Sequence, residues 1–206
     1  MTKIKVCGLR RLEDIQYVNK NKPDYIGFIF VEGRRRYISP DEALKLKEKL
    51  SSEIKVVGVF LDDEIEKIVN IADRGIIDMI QLHGHESEEF IANLRKKTDK
   101  KIIKAFSVKS EDDIEKAVKS SADYVMLDNG IGGTGETFNW DLCKNINRDF
   151  FVAGGLNKDN VLDIIDFAKP YAVDVSSGVE TDGVKDYAKI EAFVDKVRNH
   201  ERVSVD

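Results

Sequence analysis

Lys55-Val56-Val57-Gly58-Val59-Phe60, then Ile65, Ile68, Val69 and Ala72 at helical spacing, then Asp78-Met79-Ile80-Gln81-Leu82, form the stretch from which the fold is read. Two β-branched runs bracket a segment whose apolar residues recur at helical spacing, so one helix face covers one side of a sheet. A strand, a covering helix and a second strand in that order make a parallel crossover unit. The same alternation continues outward in both directions. Further strands are expected at Lys3–Cys7, Tyr25–Phe30, Ile102–Phe106, Tyr124–Asp128, Phe150–Ala153 and Ala172–Val175. Helical stripes recur at Val161, Ile164, Ile165 and Ala168, and at Ile190, Phe193, Val194 and Val197. Ser39-Pro40-Asp41-Glu42 marks a helix start, with an N-cap, a proline at the first helical position and a glutamate placed to close a capping box.

Eight such units in 206 residues leave about 26 residues each, near the lower limit for a closed ring. An open doubly wound sheet is the rival architecture. The even spacing, with no linker, composition break or second core, favours a single α/β domain over residues 1–206, a (β/α)8 TIM barrel. Catalytic groups in such barrels sit where strands end and the following loops begin.

Composition narrows the function. With 33 basic against 38 acidic residues and a net charge of -5, no polycationic surface favours nucleic acid. No apolar run approaches the roughly 20 residues of a membrane span, and Met1-Thr2-Lys3-Ile4-Lys5 lacks the apolar segment of a signal peptide. The expectation is a soluble cytoplasmic protein without membrane or nucleic-acid partners. Monomer and homodimer are both open. Cys7 and Cys143 allow at most one bridge and are expected to stay reduced.

The strand ends carry the chemistry. Cys7 closes the first strand and Asp128 the sixth. Either can be bland, since a free cysteine packs like a small hydrophobe and a terminal aspartate often caps a loop. Facing each other across a barrel mouth, they make an acid/base couple, the carboxyl kept protonated by an apolar wall. Gly130, Gly132 and Gly135 spell a dinucleotide-type glycine pattern, but it follows the sixth strand rather than the first. A loop folding over the site explains it better. Gly154-Gly155 after the seventh strand and Ser176-Ser177-Gly178 after the eighth let backbone amides approach an anion, which points to a phosphorylated small-molecule substrate. Arg34-Arg35-Arg36 in the second loop offers a fork for a carboxylate.

Gln81 and His83 share one face of the fourth strand's end, placed to hydrogen-bond a substrate or to fill the rim. With His85 and His200 as the other two histidines, no complete zinc shell is visible, and no metal is expected. Lys104 could form a Schiff base, although a strand-end lysine is usually structural or solvated. Cys143 reads as packing.

Lys5-Val6-Cys7-Gly8-Leu9, Arg36-Tyr37-Ile38-Ser39, Gln81-Leu82-His83-Gly84, Leu127-Asp128, Gly132-Gly133-Thr134-Gly135, Gly154-Gly155-Leu156 and Asp174-Val175-Ser176-Ser177-Gly178-Val179-Glu180 together resemble the phosphoribosylanthranilate isomerases over nearly the whole chain. The resemblance implies a small (β/α)8 barrel of tryptophan biosynthesis that needs no cofactor. Its reaction would be the Amadori rearrangement of N-(5-phosphoribosyl)anthranilate to 1-(2-carboxyphenylamino)-1-deoxyribulose 5-phosphate. It further implies Cys7 as general base, its thiol lowered by nearby cations, and Asp128 as general acid. Arg36 would hold the anthranilate carboxylate, Asp174 would help orient the amine or its neighbours, and the Gly154-Gly155 and Ser176-Ser177-Gly178 loops would grip phosphate. Arg34 stands where family members often carry a small polar residue. The alternatives are an indole-glycerol-phosphate synthase-like barrel, which would lean on a catalytic lysine, another Amadori isomerase, which would carry an aspartate at the end of strand one where this chain has Cys7, and a silent phosphate-binding barrel, against which the presence of both Cys7 and Asp128 argues.

Overall fold

The computed structural model of the chain describes residues 1–129, 139–144 and 146–203. Eight parallel strands close into a barrel in sequence order. They are β1 (Lys3–Cys7), β2 (Tyr25–Ile29), β3 (Lys55–Phe60), β4 (Met79–Leu82), β5 (Lys101–Ser107), β6 (Tyr124–Asp128), β7 (Phe150–Val152) and β8 (Ala172–Val175). β1 pairs with β2 on one side and with β8 on the other, and Lys5 stands opposite both Tyr25 and Asp174. A closed ring leaves no open sheet edge.

Every strand falls where the β-branched runs place it, with ends displaced by a residue or so. β4 begins at Met79 rather than Asp78, because the Asp78 carboxylate turns back to accept the Val56 amide of β3 at 2.7 Å and the Lys47 ammonium at 3.0 Å. Asp24, before β2, accepts the Ile4 amide of β1 at 2.9 Å, and Asp123, before β6, accepts the Ile102 amide of β5 at 3.0 Å. One aspartate thus ties each of these strands to the start of the strand before it.

The helices pack outside as α1 (Leu12–Asn21), α2 (Pro40–Lys47), α3 (Ile65–Asp73), α4 (Glu88–Arg95), α5 (Glu111–Lys119), α6 (Val161–Ala168) and α7 (Tyr187–Val203). Ser39 caps α2 as expected, exchanging bonds with Glu42 in both directions. α3 turns Ile68, Ile71 and Ala72 fully inward while Ile65 and Val69 pack partly buried against the same core. Among the described residues the β6–β7 connection holds only a 3-10 turn, Trp140–Cys143. The glycine pattern Gly130, Gly132 and Gly135 lies outside the described residues. After β8 a short hairpin, β9 (Glu180–Thr181) and β10 (Val184–Lys185), precedes α7.

Alternation along the strands sorts the side chains into two cores. One face of each strand, including Ile4, Val6, Ile26, Phe28, Val125 and Leu127, meets the helices. The other faces the barrel interior, where Val57, Met79, Ile103, Met126, Phe151 and Ala172 pack together. At the strand starts the interior is plugged by aromatic rings. Tyr25, Tyr124 and Tyr171 surround Phe151 with centroids 5.8, 5.7 and 5.6 Å away. The Tyr25 and Tyr171 hydroxyls share a hydrogen bond of 2.8 Å. This plug supports the barrel from the end opposite the strand termini. Phe151 is fully buried, so Phe151→Ala should cost about 3–5 kcal/mol in chemical denaturation, the usual range for a deleted buried ring. A loss below about 1 kcal/mol would mean that the plug collapses to fill the space.

Candidate active site

A cavity of about 1210 Å³ opens at the strand ends, and Cys7, Arg36, Gln81, His83, Asp128, Gly154, Gly155, Asp174, Ser176 and Ser177 all line it. Residues from five strand ends and the second loop thus share one wall, as their positions in sequence imply. Gly178 lies a step behind: a Cβ there would strike the Leu156 carbonyl, so its bareness lets the loop after β8 pass tightly over the loop after β7. Lys104, Glu86, Arg34 and Arg35 line the cavity as well.

Cys7 ends β1 with its side chain turned inward, opposite Gly27 of β2. A Cβ on Gly27 would come within 2.6 Å of the Cys7 sulfur, so the glycine makes the room that the sulfur fills. Ser176 Oγ donates to the Cys7 carbonyl at 3.1 Å and binds the loop after β8 to the end of β1. Burial pushes the Cys7 thiol above its ordinary value, more than Lys5 and Lys185 pull it down, and Asp174 adds to the rise. The sequence reading expected the reverse. The cations are present, but each already neutralises a carboxylate, and desolvation of the sulfur prevails.

Asp128 ends β6 and is buried, with Oδ1 lacking a hydrogen-bond partner among the described residues. Its Oδ2 lies 3.4 Å from His83 Nε2. Gln81 Nε2 stands 2.7 Å from His83 Nδ1. With the Gln81 amide as donor, the imidazole keeps its proton on Nε2, directed at Asp128. Gly154, at φ +86°, is the close neighbour on the other side, since a Cβ there would sit 2.7 Å from Asp128 Oδ1. His85 lies at the outer, exposed edge of the cavity and pairs with Asp62. Among the described residues no group of three His, Cys, Asp or Glu side chains could hold a metal ion.

Arg36 is not free at the rim. Its Nε donates to Glu180 Oε1 at 2.7 Å and its Nη2 to Glu180 Oε2 at 3.0 Å. Arg35 and Lys185 bind the same carboxylate at 2.7 and 2.9 Å. Against the cost of burial, Arg36 and Lys185 hold the Glu180 carboxyl down at about 2. Sequence reasoning quoted Glu180 in a motif and gave it no role. Its arginine partners lie 144 and 145 residues away, a contact that only closure of the ring produces. Lys5 and Lys185 were missed too, although Lys5 shares the inward face of β1 with Cys7.

A buried thiol, a carboxyl with an unsatisfied oxygen, a clamped arginine and two small-residue loops around one cavity suit proton transfers on an anionic substrate. Glu180 also shapes acid stability. A carboxyl held near 2 in the fold against an ordinary 4.5 contributes stability that is full above 4.5 and fades as pH falls towards 2. Glu180→Gln should therefore lose about 3–5 kcal/mol at neutral pH, as when one partner of a buried ion set is removed. Denaturant titrations across the acid range should show the gap from wild type shrinking. A gap independent of pH would contradict the ion pairing.

Comparison with known proteins places the chain. The family described as PRAI, N-(5'phosphoribosyl)anthranilate (PRA) isomerase, matches residues 4–196. The N-(5'-phosphoribosyl)anthranilate isomerase of Clostridium acetobutylicum is 46% identical over 206 residues, with 96% of this chain and 98% of that protein covered. That of Thermoanaerobacter sp. is 44% identical over 204 residues, with 96% and 98% covered. The crystal structure of phosphoribosyl anthranilate isomerase from Thermotoga maritima superposes with a TM-score of 0.89 at 36% identity, covering 97% of this chain and 100% of that one. A phosphoribosyl anthranilate isomerase solved in complex with reduced 1-(o-carboxyphenylamino)-1-deoxyribulose 5-phosphate superposes with a TM-score of 0.86 at 35% identity and the same coverage. No helix among the described residues is long and apolar enough to cross a membrane. By family match, by identity across almost the full length and by the shape of the barrel, the chain belongs to the N-(5'-phosphoribosyl)anthranilate isomerases of tryptophan biosynthesis.

Proposed function

We propose that this isomerase works by general acid/base catalysis, with Asp128 as acid and Cys7 as base, on a substrate held at its two anionic ends. The observation that carries the reading is the common cavity. Cys7 and Asp128 end strands on different sides of the ring and face one space, which also meets Arg36 and the loops after β7 and β8. The Gly154-Gly155 and Ser176-Ser177-Gly178 backbones would take the phosphate, and Arg36 the anthranilate carboxylate. Glu180 occupies the Nε side of the guanidinium, which leaves Nη1 to face the substrate. Asp174, Gln81 and His83 would line the ribose between.

In this scheme protonated Asp128 delivers its proton to the furanose oxygen as the C1–O bond breaks and the anthranilate nitrogen forms the iminium. The iminium acidifies C2–H. The Cys7 thiolate takes that proton, the electron pair moves towards nitrogen, and the enolamine tautomerises to the ketone. The substrate's own nitrogen is the electron sink, so the proposed steps draw on no metal or cofactor.

The test is steady-state kinetics, following loss of substrate fluorescence, on variants checked by circular dichroism. Cys7→Ser and Asp128→Asn should each lower kcat by about 10²–10⁴-fold, the scale of a lost general base or acid. Near wild-type turnover in the serine variant would retire the thiol as base. The raised thiol gives a second signature. If Asp128→Asn still relies on the thiolate, its residual kcat/KM should rise about tenfold per pH unit until the thiol is ionised; a flat profile would count against Cys7. Arg36→Met should raise KM by about 2–3 kcal/mol in binding free energy, the worth of a charge-assisted pair. An unchanged KM would move the carboxylate to Arg34 or Arg35.

A further inference from the structure

Lys5 is the buried charge that the proposed steps leave unused. It is fully buried inside the barrel, its Nζ bound to Asp174 Oδ1 at 3.0 Å. It precedes Cys7 by two residues on β1, so both side chains leave the strand on its inward face. An ammonium is costly to bury and needs only one carboxylate to offset its charge. This one also acts on the Cys7 sulfur from the same face of the strand, favouring its ionised form. An aliphatic residue would fill the same space without that cost, as Val57 and Ile103 do on other strands.

We propose that Lys5 is a positioning residue for the isomerisation, its ammonium held by Asp174 against the Cys7 sulfur so that the thiolate has a counter-ion inside the barrel before C2–H is attacked. This rests on the reading of Cys7 as base. The charged groups that act on the sulfur include Lys5 from β1, Asp174 from β8, Lys185 from β10 and Arg36 from the loop after β2. Lys185 and Arg36 are both committed to Glu180. Lys5 has Asp174 on one side and the thiol on the other, and is the largest of the influences that favour the ionised sulfur.

The pair makes two predictions of opposite sign, which a merely structural lysine would not. Removing the ammonium leaves the thiolate beside a carboxylate, so ionisation becomes harder. Removing the Asp174 charge leaves the thiolate as the sole counter-ion of Lys5, so ionisation becomes easier. The measurement is the pH dependence of Cys7 alkylation by iodoacetamide in the otherwise full-length protein, with Cys143→Ala as background so that one thiol is read. In Lys5→Met the pH of half-maximal alkylation should move up by about one unit or more, the effect of losing an adjacent opposite charge. In Asp174→Asn it should move down.

An unmoved midpoint in Lys5→Met, or an upward shift in Asp174→Asn, overturns the proposal. Should Lys5→Met fail to fold, Asp174→Asn decides alone. The alkylation profile reads the sulfur and not the reaction, so the two readings separate. Opposed alkylation shifts with no accompanying change in the pH profile of kcat/KM would retire Cys7 as base and leave the Lys5–Cys7 coupling standing.

Discussion

The seam between β1 and β8 is the constraint on which the molecule depends. The first and last strands of the ring meet there, and the register that joins them sets Lys5 beside Asp174. Stranding either charge in the interior would cost several kcal/mol even after relaxation, so sheet closure and charge pairing are one event. A slip of one residue would reverse the faces of β1, sending Lys5 among the helices and Ile4 into the barrel. Register and electrostatics therefore enforce each other. The same register places Cys7 at the rim with its side chain inward.

Further ion sets at the rim do for the loops what the seam does for the strands. Lys104 binds Glu86 at 3.0 Å and the Gly84 carbonyl at 2.6 Å, while Glu86 accepts the amides of Gly84 and Asp62. The loop that leaves β4 directly after His83 is fixed through that cluster. Glu180 gathers Arg35, Arg36 and Lys185, and Lys185 also donates to the Ser176 carbonyl at 2.9 Å. The second loop and the loop after β8 are thus held by one carboxylate. Groups fixed before a substrate arrives need no reorganisation when charge develops on it, which is where such sites derive their catalytic effect.

The strands were legible because each is a run of β-branched and aromatic residues with turn-formers between, and the barrel because those runs are evenly spaced. The cavity wall was legible for a related reason: in a ring of parallel strands every strand end reaches one rim, so Cys7, Gln81, Asp128 and Asp174 had to converge. What escaped depends on closure. Asp24 and Asp123 look like ordinary loop acids, and Asp78 like the first residue of its strand, until the neighbouring strand presents an amide to them. Lys5 in an alternating run reads as the outward polar member, and only the position of Cys7 shows that the outward face is the other one. The direction of the thiol's shift escaped because nearby cations are visible in a sequence, whereas the carboxylates that already engage them are not.

The Cys7-Gly8 step joins these threads. Gly8 adopts φ +84°, and a Cβ there would collide with Arg36 Cδ and lie 3.4 Å from its Cγ. The turn that ends β1 thus leaves the path along which the Arg36 stem crosses above the strand to reach Glu180. Glu180, at the start of the hairpin after β8, in turn fixes the guanidinium and holds Lys185 near the thiol. One bare position therefore lets the second loop, the end of the first strand and the hairpin after the eighth lock over the same sulfur. A side chain at Gly8 would push Arg36 outward and separate it from Glu180. That carboxylate would be left with Arg35 and Lys185 alone, so the place of Arg36 at the rim and the charge balance around Cys7 would fail together. The glycine belongs to the site through the space it leaves rather than through any contact with a substrate.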